Sequence, residues 1–68
     1  MNMEFTNGIK ALVVIGRKKK LCDDSMQVYD FLYNNGIEHT LAVDAQGWTE
    51  LACADETYNE EDFDIYMQ

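Results

Sequence analysis

Four groups of side chains in this 68-residue chain have the types and spacing to do chemistry. The first is an acidic segment, Asp55-Glu56-Thr57-Tyr58-Asn59-Glu60-Glu61-Asp62-Phe63-Asp64, with six carboxylates in ten residues. Tyr58, Phe63 and Tyr66 interleave with the acids, a mixture in which rings supply contact area and carboxylates supply charge. The second is Cys22-Asp23-Asp24-Ser25, a thiol and a hydroxyl ahead of an expected helix, where a helix N-terminus favours thiolate. The third is the cation run Arg17-Lys18-Lys19-Lys20, which at the same helix start could hold a phosphate or carboxylate. The fourth is the one histidine, His39.

Each has a plainer reading. Acidic segments are usually solvated surface, yet here no Lys or Arg lies nearby to relieve the like-charge repulsion. Calcium binding of the EF-hand kind needs a central glycine, and no glycine follows Gly47. The cation run comes with neither GxxxxGK[ST] nor GxGxxG, so it reads as a polar turn that offsets Asp23 and Asp24. His39 falls on the apolar side of an expected strand, as a hydrogen-bonded, partly buried residue. One histidine and two cysteines thirty residues apart make a poor zinc set. No metal or cofactor is expected, and no residue set forms a decisive catalytic signature.

Charge is the strongest compositional signal. Thirteen acids against five bases give a formal net charge of −8. Every cation (Lys10, Arg17, Lys18, Lys19, Lys20) lies in the first twenty residues, and twelve acids follow from Leu21 onward. Such a field repels nucleic-acid phosphates and anionic lipid, so direct binding to nucleic acid or membrane is not expected. A basic protein surface would be attracted. No apolar run approaches the roughly 20 residues that span a bilayer. The start, MNMEFTNG, lacks the pattern of a signal peptide, and two distant cysteines are no disulfide framework, so a reducing cytoplasm is the expected location.

The elements that must position these groups fit one small domain over residues 1–68. With 47% hydrophobic residues the chain can support a core, though one of this length has a thin stability margin. Alternation at Met1, Met3 and Phe5 predicts a strand over 2–6, turned by Asn7-Gly8 into a second strand over 9–17. Asp24 and Gln27 have capping-box spacing, Val28, Phe31 and Leu32 form an apolar stripe, and Gly36 suits the end of this helix. Ile37, His39, Leu41 and Val43 alternate as a strand, with a turn at Asp44-Ala45-Gln46-Gly47. Residues 48–54 return as a fourth strand or, through TELACA, as helix. A closing helix begins at Thr57 or Asn59 and shares a face among Phe63, Tyr66 and Met67, stacking Glu60 on Asp64.

The sum is an α/β fold of α+β type: a two-layer ββαββα domain with a four-stranded mixed sheet and both helices on one face. Leu12 and Val14 then sit on the open face, available for a homodimer or partner contact.

Residues 13–44 resemble the first β-α-β of glutaredoxins, with Cys22-Asp23-Asp24-Ser25 similar to the CxxS of monothiol members. That resemblance implies Cys22 as a redox thiolate, with Ser25 as the second motif position. In size and charge the chain also resembles the small acidic proteins that phages and mobile elements use against host defence, including anti-CRISPR proteins and nucleic-acid mimics. The acidic segment, with this resemblance in size and charge beside it, leads to the expectation of an inhibitor or decoy bound to a basic, nucleic-acid-binding protein through Asp55, Glu56, Tyr58, Glu60, Glu61, Asp62, Phe63, Asp64 and Tyr66. A structural or dimerising domain without catalytic role is the remaining alternative.

Overall fold

The computed structural model describes Phe5 and residues 8–68. The expected strand over 2–6 and its turn at Asn7 therefore lie outside the described residues, apart from Phe5 and Gly8. From there the order is β1 (Ala11–Ile15), β2 (Lys18–Cys22), α1 (Ser25–Asn34), α2 (His39–Leu51), β3 (Thr57–Asn59) and β4 (Asp64–Met67). The fold is α+β, with four described strands in one sheet and two helices, as the composition and patterning indicate.

The order of elements and the sense of the strands differ from expectation. The order is ββααββ, and the sheet β2-β1-β4-β3 is antiparallel at every pairing rather than mixed. The first difference arises at Gly16. Its φ of +60° follows β1 directly, while Arg17 keeps a negative φ. Positive φ at the first central position alone belongs to a type II′ hairpin turn, whose twist suits antiparallel strands. The lysine run therefore continues as β2 rather than forming a turn. Its three lysines are exposed, as befits an edge strand guarded by charge.

Helix α1 forms where the capping residues indicate. Asp24 Oδ1 accepts the Gln27 N–H at 2.8 Å, and Gln27 Oε1 accepts the Asp23 N–H at 3.1 Å. At the other end Ile37 N–H reaches Leu32 O at 3.0 Å and Gly36 N–H reaches Tyr33 O at 3.2 Å. With Gly36 at φ +91°, this is a Schellman motif, and buried Leu32 and Ile37 supply its apolar contact.

The segment expected as a strand, residues 37–43, instead leads into α2. This helix runs from His39 through the expected turn at Gly47 to Leu51, so the helical alternative for residues 48–54 holds as far as Leu51. Glu38 caps it, its Oε1 accepting the Leu41 N–H at 3.1 Å. Those backbone bonds hold the Glu38 carboxyl below its usual pKa. The buried side chains, Ala42, Ala45 and Thr49, follow a helical spacing that their small size conceals. The C-terminal segment corrects the other way. Phe63, Ile65 and Met67 are buried, while Tyr66 between the last two is exposed, a period of two that makes β4 a strand and not a closing helix.

The same alternation seals the core. Ala11 and Val13 of β1, Cys22 of β2, and Ile65 and Met67 of β4 meet Val28 and Leu32 of α1 and Ala42 and Ala45 of α2. Both helices thus cover one face of the sheet. Among the described residues no buried side-chain N or O lacks a hydrogen-bond partner.

Two glycines test this architecture. Gly47 lies inside α2 with nothing within 4 Å of an added Cβ. Gly47→Ala should therefore stabilise the fold by about 0.5–1 kcal/mol in urea unfolding. In the hairpin expected from sequence, Gly47 would sit in left-handed backbone, and the same change would destabilise. Gly16→Ala should cost about 1 kcal/mol, through backbone strain alone, because its surroundings are equally open.

Candidate functional site

The acidic segment forms the β3–β4 hairpin at one edge of the sheet. Asn59 pairs with Asp64, and the Glu60 N–H donates to Phe63 O at 2.9 Å. Glu60, Glu61 and Asp62 occupy the tip, all exposed. No helix stacks Glu60 on Asp64. Asp64 turns instead to Asn59, whose Nδ2 donates to Asp64 Oδ1 at 2.9 Å.

Asp55 and Glu56 approach the same edge from the other end of β3. The Glu56 N–H closes a turn on Cys53 O at 3.2 Å, and Asp55 takes a φ of +78° at its third position, the signature of a type II turn. Met67 then bonds both residues: its O accepts the Asp55 N–H at 3.1 Å and its N–H donates to Glu56 O at 2.9 Å. Two residues opposing one is a β-bulge, with Asp in the left-handed position where glycine is commoner. The bulge turns the start of β3, and both carboxylates are exposed there.

The aromatic residues separate into two groups. Phe63 is buried and stacks on Tyr58, whose ring also packs against Trp48 at 5.2 Å. These three anchor the hairpin to α2, so Phe63 belongs to the core rather than to a contact surface. Tyr58 is half-buried, and burial, a hydrogen bond with Glu60 and the charge of Asp44 all push its pKa up. Asp44, placed in a turn by sequence reasoning, lies on α2 one turn before Trp48, where its charge acts on Tyr58. Placing it there required recognising that helix. Tyr66 lies elsewhere, on the open face of the sheet beside Leu12. Leu12 and Val14 alternate with buried Ala11 and Val13, which places them on that open face as expected.

Lys18, Lys19 and Lys20 lie at the opposite edge, on β2, while Lys10 precedes the central strand β1. Lys10 pairs with Asp23. Lys18 reaches the C-terminal end of α1, its Nζ donating to Asn35 Oδ1 at 2.9 Å, where the helix dipole favours a cation. The run therefore does not converge on a helix N-terminus.

The segment that resembles a glutaredoxin β-α-β folds as β-β-α-α, with no parallel strand pair. Cys22 ends β2 and is fully buried, its Sγ facing Lys20 O at 3.9 Å. Burial raises the thiol pKa to about 11, Lys20 opposes that shift, and Asp24 and Asp23 reinforce it. Ser25 is also buried, its Oγ donating to Glu50 Oε2 at 3.1 Å. Both side chains hold structure at the start of α1.

His39 opens α2 rather than lining a strand. It is exposed, with Nδ1 2.8 Å from the Tyr29 hydroxyl and its ring edge-on to Tyr29 and Tyr33. Among the described residues no three His, Cys, Asp or Glu side chains are grouped to hold a metal ion, and no helix is long and apolar enough to cross a membrane. No family model, curated protein or solved structure matches the chain.

The thiols give a direct check of this geometry. A maleimide probe at pH 7.5 should label exposed Cys53 and leave buried Cys22 unmodified until the chain unfolds. Because the folded-state pKa of Cys22 is raised, its thiol contributes stability that is complete below the unfolded-state value near 9. That contribution is lost as pH climbs toward 11, and the upward shift of Tyr58 acts in the same direction. Urea midpoints should fall across this alkaline window, and the part due to the thiol should vanish in Cys22→Ala.

Proposed function

We propose that the chain is a small acidic protein-binding module. Its β3–β4 edge occupies the basic surface of a nucleic-acid-binding protein, as an inhibitor or decoy working in the reducing cytoplasm. Carboxylates of Asp55, Glu56, Glu60, Glu61 and Asp62 stand in for phosphates. Two neutral hydrogen-bonding groups on the edge strand, Thr57 and Asn59, lie between them.

The observation that supports this reading is the separation of charge by strand order. In the sheet β2-β1-β4-β3 the lysine strand and the acidic strand are the two edges. Three strand spacings put about 14 Å between them. That exceeds the Debye length of about 8 Å at physiological ionic strength, so the lysines cannot neutralise the acidic edge. A folded chain that holds its lysine strand out of reach of its acidic strand keeps a negative surface for something else. Attraction of this kind acts mainly on the rate of encounter and is weakened by salt.

The hairpin tip also makes the test clean, because its carboxylates are exposed and hold no described side-chain bond except that of Glu60 with Tyr58. Tagged full-length protein should retain a basic nucleic-acid-binding protein from lysate at low salt and lose it at high salt. Adding the chain should displace an oligonucleotide from that partner. The triple change Glu60→Gln, Glu61→Gln, Asp62→Asn should weaken binding about tenfold or more while leaving the fold intact. Unchanged affinity in the triple variant would remove the acidic tip from the function.

A further inference from the structure

The open face of the sheet combines exposed apolar side chains with charges of both signs. Cross-strand register arranges it in rows. In one row Leu21, Leu12, Tyr66 and Thr57 lie side by side. In the next, Lys19, Val14, Asp64 and Asn59 do so. Lys10, two residues before Leu12, continues the face with its partner Asp23. The helices pack against the other side, and here Leu21 is 52% and Tyr66 39% exposed.

Among the described residues this face carries two cations (Lys10, Lys19) and two anions (Asp23, Asp64) in a chain of net charge −8. It is therefore the part of the surface on which a second strongly acidic copy can approach without net repulsion. The arrangement of its charges is also self-complementary. Lys19 on β2 and Asp64 on β4 flank Val14 of the central strand on opposite sides. A two-fold axis along β1, between two copies stacked face to face, brings β2 of each opposite β4 of the other. Each Lys19 then meets Asp64 of the second copy, each Leu21 meets Tyr66, and Leu12 and Val14 meet their own counterparts. An acidic partner would be repelled by Asp64, and a basic one by Lys19.

We propose that the chain forms a two-fold dimer through this open sheet face, with Lys19–Asp64 pairs on either side of a Leu12, Val14, Leu21 and Tyr66 core. The association uses residues distinct from the acidic hairpin tip and does not rest on its function. The three strands that overlap, β2, β1 and β4, offer on the order of 250 Å² per copy, well below a standard stable interface, so the association is a weak, transient one. The dimer is accordingly concentration-dependent.

Sedimentation equilibrium of the full chain at about 10–500 µM, a range matched to a weak interface, reads it directly. Wild type should pass from monomer toward dimer across this range. Lys19→Glu and Asp64→Lys should each weaken dimerisation about tenfold, and the two together should restore it to within about threefold of wild type. Leu21→Asp, on an exposed edge position that the fold tolerates, should abolish it, with circular dichroism confirming an intact fold. A chain that stays monomeric throughout overturns the proposal and leaves its own N-terminal residues or another protein to cover the face. A dimer indifferent to Lys19→Glu and Leu21→Asp overturns it equally, by placing the interface elsewhere.

Discussion

The pairing of β1 with β4 is the constraint on which the rest of the structure depends. It joins Ala11 to Met67 and Val14 to Asp64, and the ladder continues through reciprocal backbone bonds between Lys10 and Gln68. Nearly the whole chain is the loop that this pairing closes. Each hairpin alone is a two-stranded ribbon, marginal in water, and neither could seal the helices. Together they make a four-stranded surface whose inner side chains (Val13, Ile65, Met67) bury Val28, Leu32 and Ala45. The loop-closure entropy grows only slowly with length, so one long-range pairing can be repaid by the core it completes.

That pairing also decides the electrostatics. Because β1 and β4 are central, β2 and β3 must be edges, and these carry the lysine run and the acidic segment. The sequence order of charges, cations early and acids late, becomes a spatial polarity across the sheet. Had the final segment formed a helix on the covered face, its acids would have lain over the core layer. The strand arrangement instead presents them at a rim, where their mutual repulsion is relieved by water and their backbone is held by the bulge at Asp55.

Helix α1 and the inner and outer faces of β1 were legible in the sequence, while β2, β3, β4 and the first half of α2 were not. The difference lies in how strongly each pattern excluded its rival. For α1, capping residues, a stripe of large apolar side chains and Gly36 all indicated one answer. For α2 the large residues Ile37, Leu41 and Val43 happen to alternate, whereas the side chains that are buried are Ala42, Ala45 and Thr49, too small to dominate a pattern. Glu38 is also an uncommon cap. In β4 the three apolar residues Phe63, Tyr66 and Met67 fit helical spacing, but the decisive set was Phe63, Ile65 and Met67. The acidic tip was visible as composition alone. That Asp44 acts on Tyr58 and that Phe63 leaves the acidic segment for the core could be known only once the third dimension placed α2 beneath Tyr58.

The acidic rim and the open face, on the two proposed readings, are separate products of one register. Antiparallel pairing at fixed spacing sets Lys19 and Asp64 across Val14, which makes a face neutral enough to meet its own image. The same ladder, one strand further on, sets Thr57 and Asn59 on β3 between exposed carboxylates. In the two-fold pair β3 lies outside the overlap, because β2 of the second copy stands opposite β4 and nothing stands opposite β3. The proposed self-association and the proposed capture of a basic partner therefore would not compete for surface. A dimer would present two acidic rims on opposite sides, so a partner with two basic sites would be held by both at once, an advantage set by effective concentration and not by any added contact.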